Sequence, residues 1–388
     1  MINALKKHKK KTVSLFLFPI LAGVLMTSCA TYPNSSAQDL NRIQSSTQFS
    51  EGKFRNKQKT QVFEWRKTWA MAKDYFFNKS DKAVPKVAPP IQQLSSDAFN
   101  LTDKEEMSFA RLGHSTLLIQ LSGKYFLTDP VFSERVSPVQ WLGPKRFHPV
   151  PMDIDSIEEI EAVIISHNHY DHLDEGSIKQ LKDKVNHFVV PLGIGDKLVA
   201  WGVDENKITQ LDWWENIKLN DVELVSTPAQ HFSGRGITDT DKTLWSSWVI
   251  RNQQHSLYFS GDTGYFSGFK DIGEKYGPFD YAFMECGAYN ELWRDIHMMP
   301  EDSLQAFKDV KGKVMVPIHN GTFDLSTHAW FDPMEKITKL AQEKNVTLLL
   351  PKMGQLINQD VNLTHSSWWK INKQGMNKDH TLAIINSN

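Results

Sequence analysis

The chain has 388 residues, with 44 Lys and Arg against 45 Asp and Glu, a formal net charge of −1 and a hydrophobic fraction of 40%. That apolar content supports a buried core and excludes wholesale disorder, while the near-neutral charge argues against a general nucleic-acid binder, which needs a basic excess to neutralise phosphates. Two cysteines in this length exclude a disulfide scaffold and a cysteine-based zinc finger.

Residues 1–28 carry Lys6, Lys7, Lys9, Lys10 and Lys11 and no acid, and an apolar run follows from Val13 to Met26. The run is shorter than the roughly 20 residues a bilayer-spanning helix needs. A basic stretch before a short apolar one reads as a secretory signal, which is an address rather than a fold element. It ends in Leu25-Met26-Thr27-Ser28-Cys29, which resembles a bacterial lipobox. The resemblance implies cleavage before Cys29 and lipidation of its thiol. Ala30, where Asp would favour inner-membrane retention, points to a bacterial envelope protein anchored in the outer membrane and facing the periplasm. Without residues 1–28 the basic count falls from 44 to 39 against 45 acids, so the remainder carries −6.

Residues 29–60 are rich in Ser, Asn and Gln and read as a polar, solvated tether. Val62, Trp65, Trp69, Ala72 and Phe76 fall at helical spacing, and three prolines follow between Val84 and Pro90, so residues 61–105 read as an N-terminal helix and linker. Short strand-like and helical runs alternate over residues 106–360. Strands are expected at Ser108–Leu112, Thr116–Leu121, Tyr125–Thr128, Ala162–Ser166, Val222–Thr227, Trp245–Ile250, Leu257–Ser260 and Val314–Ile318. Helices are expected at Gly176–Lys182, Pro300–Val310 and Pro333–Glu343. Cys286, in the apolar run Tyr281-Ala-Phe-Met-Glu-Cys, reads as a small core residue. Residues 361–388 form a polar, peripheral tail.

The chemistry concentrates in Ala162-Val-Ile-Ile-Ser-His167-Asn-His169-Tyr170-Asp171-His172-Leu-Asp174. A buried strand ends there and a loop presents His167, His169, Asp171 and His172 within six residues. Neutral imidazoles and carboxylate suit a borderline cation; zinc fits best, and iron or manganese also tolerate such a set. Four donors are too few for two closed sites. His231, Asp262 and His319 each follow a strand-like run and are the further candidates.

In this order and at these intervals the residues resemble the metallo-β-lactamase superfamily. The resemblance implies an α/β fold, a four-layer αββα sandwich, with two metal ions. His167, His169 and His231 would hold one, Asp171, His172 and His319 the other, and Asp262 would bridge them. Asp129, in Phe126-Leu-Thr-Asp-Pro, would accept a bond from a ligand histidine and fix its tautomer. His114 would support the ligands from behind. Two ions about 3.5–4 Å apart clamp the attacking and leaving oxygens of a displacement and lower the pKa of water, so the implied reaction is metal-assisted hydrolysis.

Further runs resemble N-acyl-phosphatidylethanolamine-hydrolysing phospholipase D. They include Leu112-Gly-His-Ser-Thr, Ser137-Pro-Val-Gln-Trp-Leu-Gly-Pro-Lys-Arg-Phe, Leu211-Asp-Trp-Trp-Glu, Leu244-Trp-Ser-Ser-Trp, Gly287-Ala-Tyr and Pro317-Ile-His-Asn-Gly-Thr-Phe. They span residues 108–345. The resemblance implies two zinc ions cleaving a phospholipid on the headgroup side, giving phosphatidic acid and an N-acylethanolamine at a membrane surface. Asp171, Asp262 and His297 would be catalytic, His297 either by protonating the leaving alkoxide or by supporting the ligands and positioning substrate. Gln140 and Arg235 match positions near the ligand cavity, Arg235 as a phosphate partner or, being on a loop, a solvated surface charge, and Tyr170 would form pocket wall. The segment between Gly287-Ala-Tyr and His297 is shorter here than in that family. The competing readings are a metallohydrolase of the same fold acting on a sugar-phosphate lactone or cyclic phosphodiester, and a non-catalytic envelope lipoprotein. The sequence does not specify oligomeric state.

Overall fold

The computed structural model describes residues 37–60, 70, 73–75, 77–95, 106–236, 238–358, 365–370 and 381–382. The signal, Cys29 and most of the expected 61–77 helix lie outside the described residues. Among those described, no helix is long and apolar enough to cross a membrane.

Before the main sheets come helix α1 (Ala37–Ser45) and a small hairpin, β1 (Phe49–Ser50) and β2 (Lys53–Phe54). The first large sheet contains β3 (Ser108–Gly113), β4 (Thr116–Leu121), β5 (Lys124–Thr128), β6 (Ile160–Ile164), β7 (Val185–Pro191) and β8 (Ile208–Leu211) side by side. The second contains β9 (Asn216–Leu219), β10 (Val222–Thr227), β11 (Ser247–Arg251), β12 (Ser256–Phe259), β13 (Phe279–Glu285) and β14 (Gly312–Ile318). A short β15 (Leu356–Ile357) pairs antiparallel with β3 and closes that edge of the first sheet. Each sheet is antiparallel in its early strands and parallel in its later ones, β5 to β8 and β12 to β14.

The central strands are apolar on both faces, as strands covered on both sides must be. Phe109, Ile119, Phe126 and Ile164 of the first sheet meet Leu224, Trp248, Phe259 and Val316 of the second in one closed core. On the outer face of the first sheet, Leu118, Leu127 and Val163 pack against Ile178 and Leu181 of α2 (Glu175–Leu181) and Leu198 of α3 (Gly195–Ala200). On the outer face of the second, Val249, Tyr258 and Met284 pack against α4 (Gly268–Tyr276), α5 (Pro300–Asp309) and α6 (Asp332–Glu343) through Ile272, Phe307 and Ile337. The layers are helix, sheet, sheet and helix, the αββα sandwich expected from the sequence.

Two regions depart from the expectations. Residues 37–56 do not lie free as a tether: Phe54 is buried with Leu192, Trp213 and Trp245, with Ile43 and Phe49 packed on the same cluster. Arg42 of α1 donates to the Gln210 carbonyl at 2.6 Å and pairs with Glu215. These few apolar anchors are spaced too irregularly to register as an amphipathic pattern. The tail, in turn, is not wholly peripheral, because Trp368 and Trp369 are buried in the core beneath α4 to α6, and Trp368 Nε1 donates to the Leu350 carbonyl at 3.1 Å.

Candidate metal centre

Because β5 and β6 run parallel, as do β12, β13 and β14, their C-terminal ends gather on one edge of the sandwich, the place where ligands bind in α/β sheets. His114 follows β3, Asp129 follows β5, and the 167–172 loop follows β6. From the second sheet come His231 after β10, Asp262 after β12, Glu285 at the end of β13 and His319 after β14. Asp174 ends the loop by capping α2, its carboxylate accepting from Ser177 N. His114, Asp129 and His319 hold φ of 43°, 35° and 63°. Non-glycine residues in this left-handed region carry strain on the order of 1 kcal/mol or more each and collect at functional sites.

The side chains converge in two groups. In the first, His169 Nδ1 lies 2.8 Å from His167 Nε2 and 3.2 Å from His231 Nε2. In the second, Asp171 Oδ2 lies 3.0 Å from His114 Nε2, 3.2 Å from His319 Nε2 and 3.4 Å from His172 Nε2. Asp262 stands between them: its Oδ2 is 3.1 Å from His172 Nε2, 3.0 Å from His319 Nε2 and 3.9 Å from both His167 Nε2 and His231 Nε2.

The outer nitrogens set the tautomers. His231 Nδ1 can only donate to the Ile296 carbonyl, at 3.0 Å. Ser166 Oγ donates to Asp129 Oδ2 at 2.6 Å and so receives the proton of His167 Nδ1, 2.9 Å away. His172 Nδ1 faces Asp129 Oδ2 at 2.7 Å. His167, His172 and His231 therefore turn Nε2 inward, as neutral imidazole ligands do. His172 Nε2 and Asp262 Oδ1 are buried and have no hydrogen-bond partner. Crowded lone pairs and orphaned buried donor atoms are what a divalent cation would satisfy, so this His/Asp cluster is able to bind metal ions.

The charges agree. Burial holds His167 and His231 well below the usual histidine range and brings His169 to about 4. Burial, then the neighbouring His319, brings His114 to about 3. In the second group burial pulls His172 and His319 down, but Asp262 and Asp171 outweigh it, lifting His172 well above its ordinary value and His319 to about 10. Burial pushes Asp262 and Asp171 upward, but His172 and its neighbours hold both well below the carboxylate range. Asp171 and Asp262 thus make this a place that favours positive charge, which a bound cation would supply.

His297 lies beside the cluster, its ring centroid 5.0 Å from that of His231 and 5.5 Å from that of His319. His114 stands closer than a support from behind, with its ring 4.0 Å from that of His319. Arg235 does not present its guanidinium as a phosphate partner. Nη1 donates to the Asn168 and Leu173 carbonyls at 2.9 and 2.6 Å, and the group lies 3.7 Å over the Tyr170 ring, so it braces the metal loop from outside. Tyr170 joins Val131, Val136, Phe323 and Leu325 in an apolar cluster. Gln140 is exposed, and its amide closes on the Arg135 backbone at 3.1 and 3.0 Å rather than joining the clustered donors. Two participants were not anticipated. Glu285 has a signal in hindsight, a lone acid at the end of an apolar strand. Asn56, whose side chain grips the His231 backbone through its carbonyl (2.7 Å) and its N–H (3.1 Å), has none.

A family profile described as the beta-lactamase superfamily domain matches residues 124–320. The chain is 34% identical over 296 residues to N-acyl-phosphatidylethanolamine-hydrolyzing phospholipase D 1 of Caenorhabditis elegans, spanning 71% of this chain and 82% of that one. It is 46% identical over 94 residues to the outer membrane protein RomA of Klebsiella pneumoniae, 24% of this chain and 70% of that one. Among solved structures, a metallo hydrolase from Ignicoccus hospitalis superposes with a TM-score of 0.51 at 21% identity over 66% of this chain and 99% of its own, a likeness of fold.

Proposed function

The chain belongs to the metallo-β-lactamase superfamily, among the relatives of N-acyl-phosphatidylethanolamine-hydrolysing phospholipase D, and on that premise we propose that it is a zinc-dependent phosphodiesterase acting on phospholipid. The superfamily makes it a metal-dependent hydrolase. The proposed substrate is N-acyl-phosphatidylethanolamine, cut on the headgroup side to phosphatidic acid and an N-acylethanolamine. The observation that carries the proposal is the place of Asp262, whose Oδ2 lies within 3.9 Å of two histidines from each group, as a carboxylate bridging two ions would.

His167, His169 and His231 would hold one ion, and Asp171, His172 and His319 the other, with His114 near enough to the second to compete for it. Bound there, the ions would neutralise phosphate oxygens and supply hydroxide at neutral pH. Asp129 and Ser166 keep the imidazoles in the ligand tautomer. Trp141 and Leu142 are 67% and 49% exposed, apolar side chains suited to a lipid surface. The signal and Cys29, together with the likeness to an outer membrane protein, support a lipid-anchored place in the bacterial envelope.

The test is a substrate panel read by mass spectrometry. The zinc-loaded chain from residue 30 is offered N-acyl-phosphatidylethanolamine, phosphatidylethanolamine, a sugar-phosphate lactone and a cyclic nucleotide. Release of N-acylethanolamine is expected. Turnover of the lactone or the nucleotide with both phospholipids intact would overturn the proposal. Cys29→Ser should move the full-length chain from the membrane to the soluble fraction; unchanged retention would defeat the anchor.

A further inference from the structure

Glu285 is inaccessible to solvent, and its carboxylate has a specific set of neighbours. Oε2 accepts from Thr263 N at 2.6 Å, directly beside Asp262. Oε1 accepts from His297 Nδ1 and lies 3.9 Å from His319 Nδ1. None of these partners is Lys or Arg. A buried carboxylate is costly unless charge and hydrogen bonds answer it, and here the answering ring is His297. That ring reaches the centre on the connection between β13 and α5, held by His297 N donating to the Trp293 carbonyl at 3.2 Å. Its neighbours His231 and His319 belong to opposite metal groups, and its side chain is 14% exposed, so solvent reaches it.

We propose that Glu285 and His297 form a carboxylate–imidazole pair in which Glu285, a positioning residue, holds the proton on His297 Nδ1 and leaves Nε2 to protonate the departing oxygen. The inference rests on the phosphodiesterase reading for the identity of that oxygen. In the step, the oxygen of water bonds to phosphorus. The bond from phosphorus to the ethanolamine oxygen breaks with its electron pair on that oxygen. A proton from His297 Nε2 completes the alcohol, and the proton that water loses returns to His297. Glu285 orients the ring and stabilises its charged form, as buried carboxylates do for histidines that shuttle protons.

The test compares wild type, Glu285→Gln and His297→Gln, all zinc-loaded, on N-acyl-phosphatidylethanolamine and on bis(p-nitrophenyl) phosphate, whose leaving group needs no proton. Glutamine at 285 keeps the shape and an acceptor for Thr263. Both variants should lose about a hundredfold in kcat on the lipid with KM little changed. They should keep most of their rate on the nitrophenyl ester and their full metal content. Equal losses on both substrates would overturn the pair. So would loss of metal in Glu285→Gln, since Asp262, Glu285, His297 and His319 lie close enough to share an ion. A readout without substrate separates this inference from the reading it rests on. Proton NMR of the zinc-loaded wild type should show a strongly low-field imidazole N–H that vanishes in Glu285→Gln. If wild type leaves the lipid intact, the substrate reading fails, and this signal decides the pair, its presence supporting it and its absence overturning it.

Discussion

Asp129 touches none of the inward-facing nitrogens, yet it sets two of them. It receives Ser166 N at 2.7 Å, Ser166 Oγ at 2.6 Å and His172 Nδ1 at 2.7 Å, and Ser166 in turn fixes His167. Asp129→Asn offers an amide where two donors expect an acceptor. It should weaken metal binding about 10–100-fold, read by competition with a chelating dye, with the circular dichroism unchanged. His148 makes a different prediction. It is buried, with Nε2 3.1 Å from Thr322 Oγ1, and burial followed by the nearby Arg146 brings it from 6.5 to about 3. The folded protein thus binds fewer protons here than the unfolded chain. The stabilisation is complete above pH 6.5 and drains away as pH falls toward 3. Urea midpoints of the metal-free protein should drop over that interval, and His148→Gln should flatten the drop. At this scale the H-x-H-x-D-H run was legible because its donors lie within one loop, and His231, Asp262 and His319 because each follows an apolar run. Arg235 was misjudged because a loop arginine gives no hint in sequence that main-chain carbonyls will claim it.

The strands bring their ends so close at the centre that side chains are excluded between them. A Cβ on Gly287 would stand 1.5 Å from the His319 carbonyl oxygen. Gly287→Ala should therefore cost about 3 kcal/mol in chemical denaturation and disturb the second metal group more than the first. The N-terminal hairpin acts on the other group. Asn56 Oδ1 also receives Trp245 Nε1 at 3.0 Å, so one side chain ties the segment to both the core and His231. Asn56→Ala should lower stability by about 1–3 kcal/mol and loosen the ion at His167, His169 and His231, seen as metal content falling from two toward one on dialysis. Most of the strands that lead to the proposed ligands were readable from their patterning, but the seven-residue β7 and β13 and the nine-residue α1 and α4 do not stand out in the sequence. The six-residue α3 and the four-residue β8 and β9 are too short to show a repeat. Residues 37–56 were misread because what orders them is contact with Leu192, Trp213 and Trp245, far along the chain, which local composition does not encode.

Over the whole molecule, the proposed ligands divide between the two sheets, with the 167–172 loop on one and His231, Asp262 and His319 on the other. Any ion held among them joins the halves of the sandwich. Saturating zinc should raise the melting temperature and a chelator should lower it, a hundredfold excess over Kd adding about 2.7 kcal/mol to the unfolding free energy; a melting point indifferent to both would deny the cation its place. The four-layer architecture itself was legible only through the resemblance, since the motifs identified the superfamily before any strand order could be deduced. If lipid on Cys29 anchors the protein as proposed, the connection ends where α1 begins, at Ala37 rather than near residue 60. Eight residue steps span at most about 28 Å. The enzyme would be moored rather than roaming, its hairpin held against the bilayer headgroups, and it would draw substrate from the leaflet in which its own acyl chains are embedded.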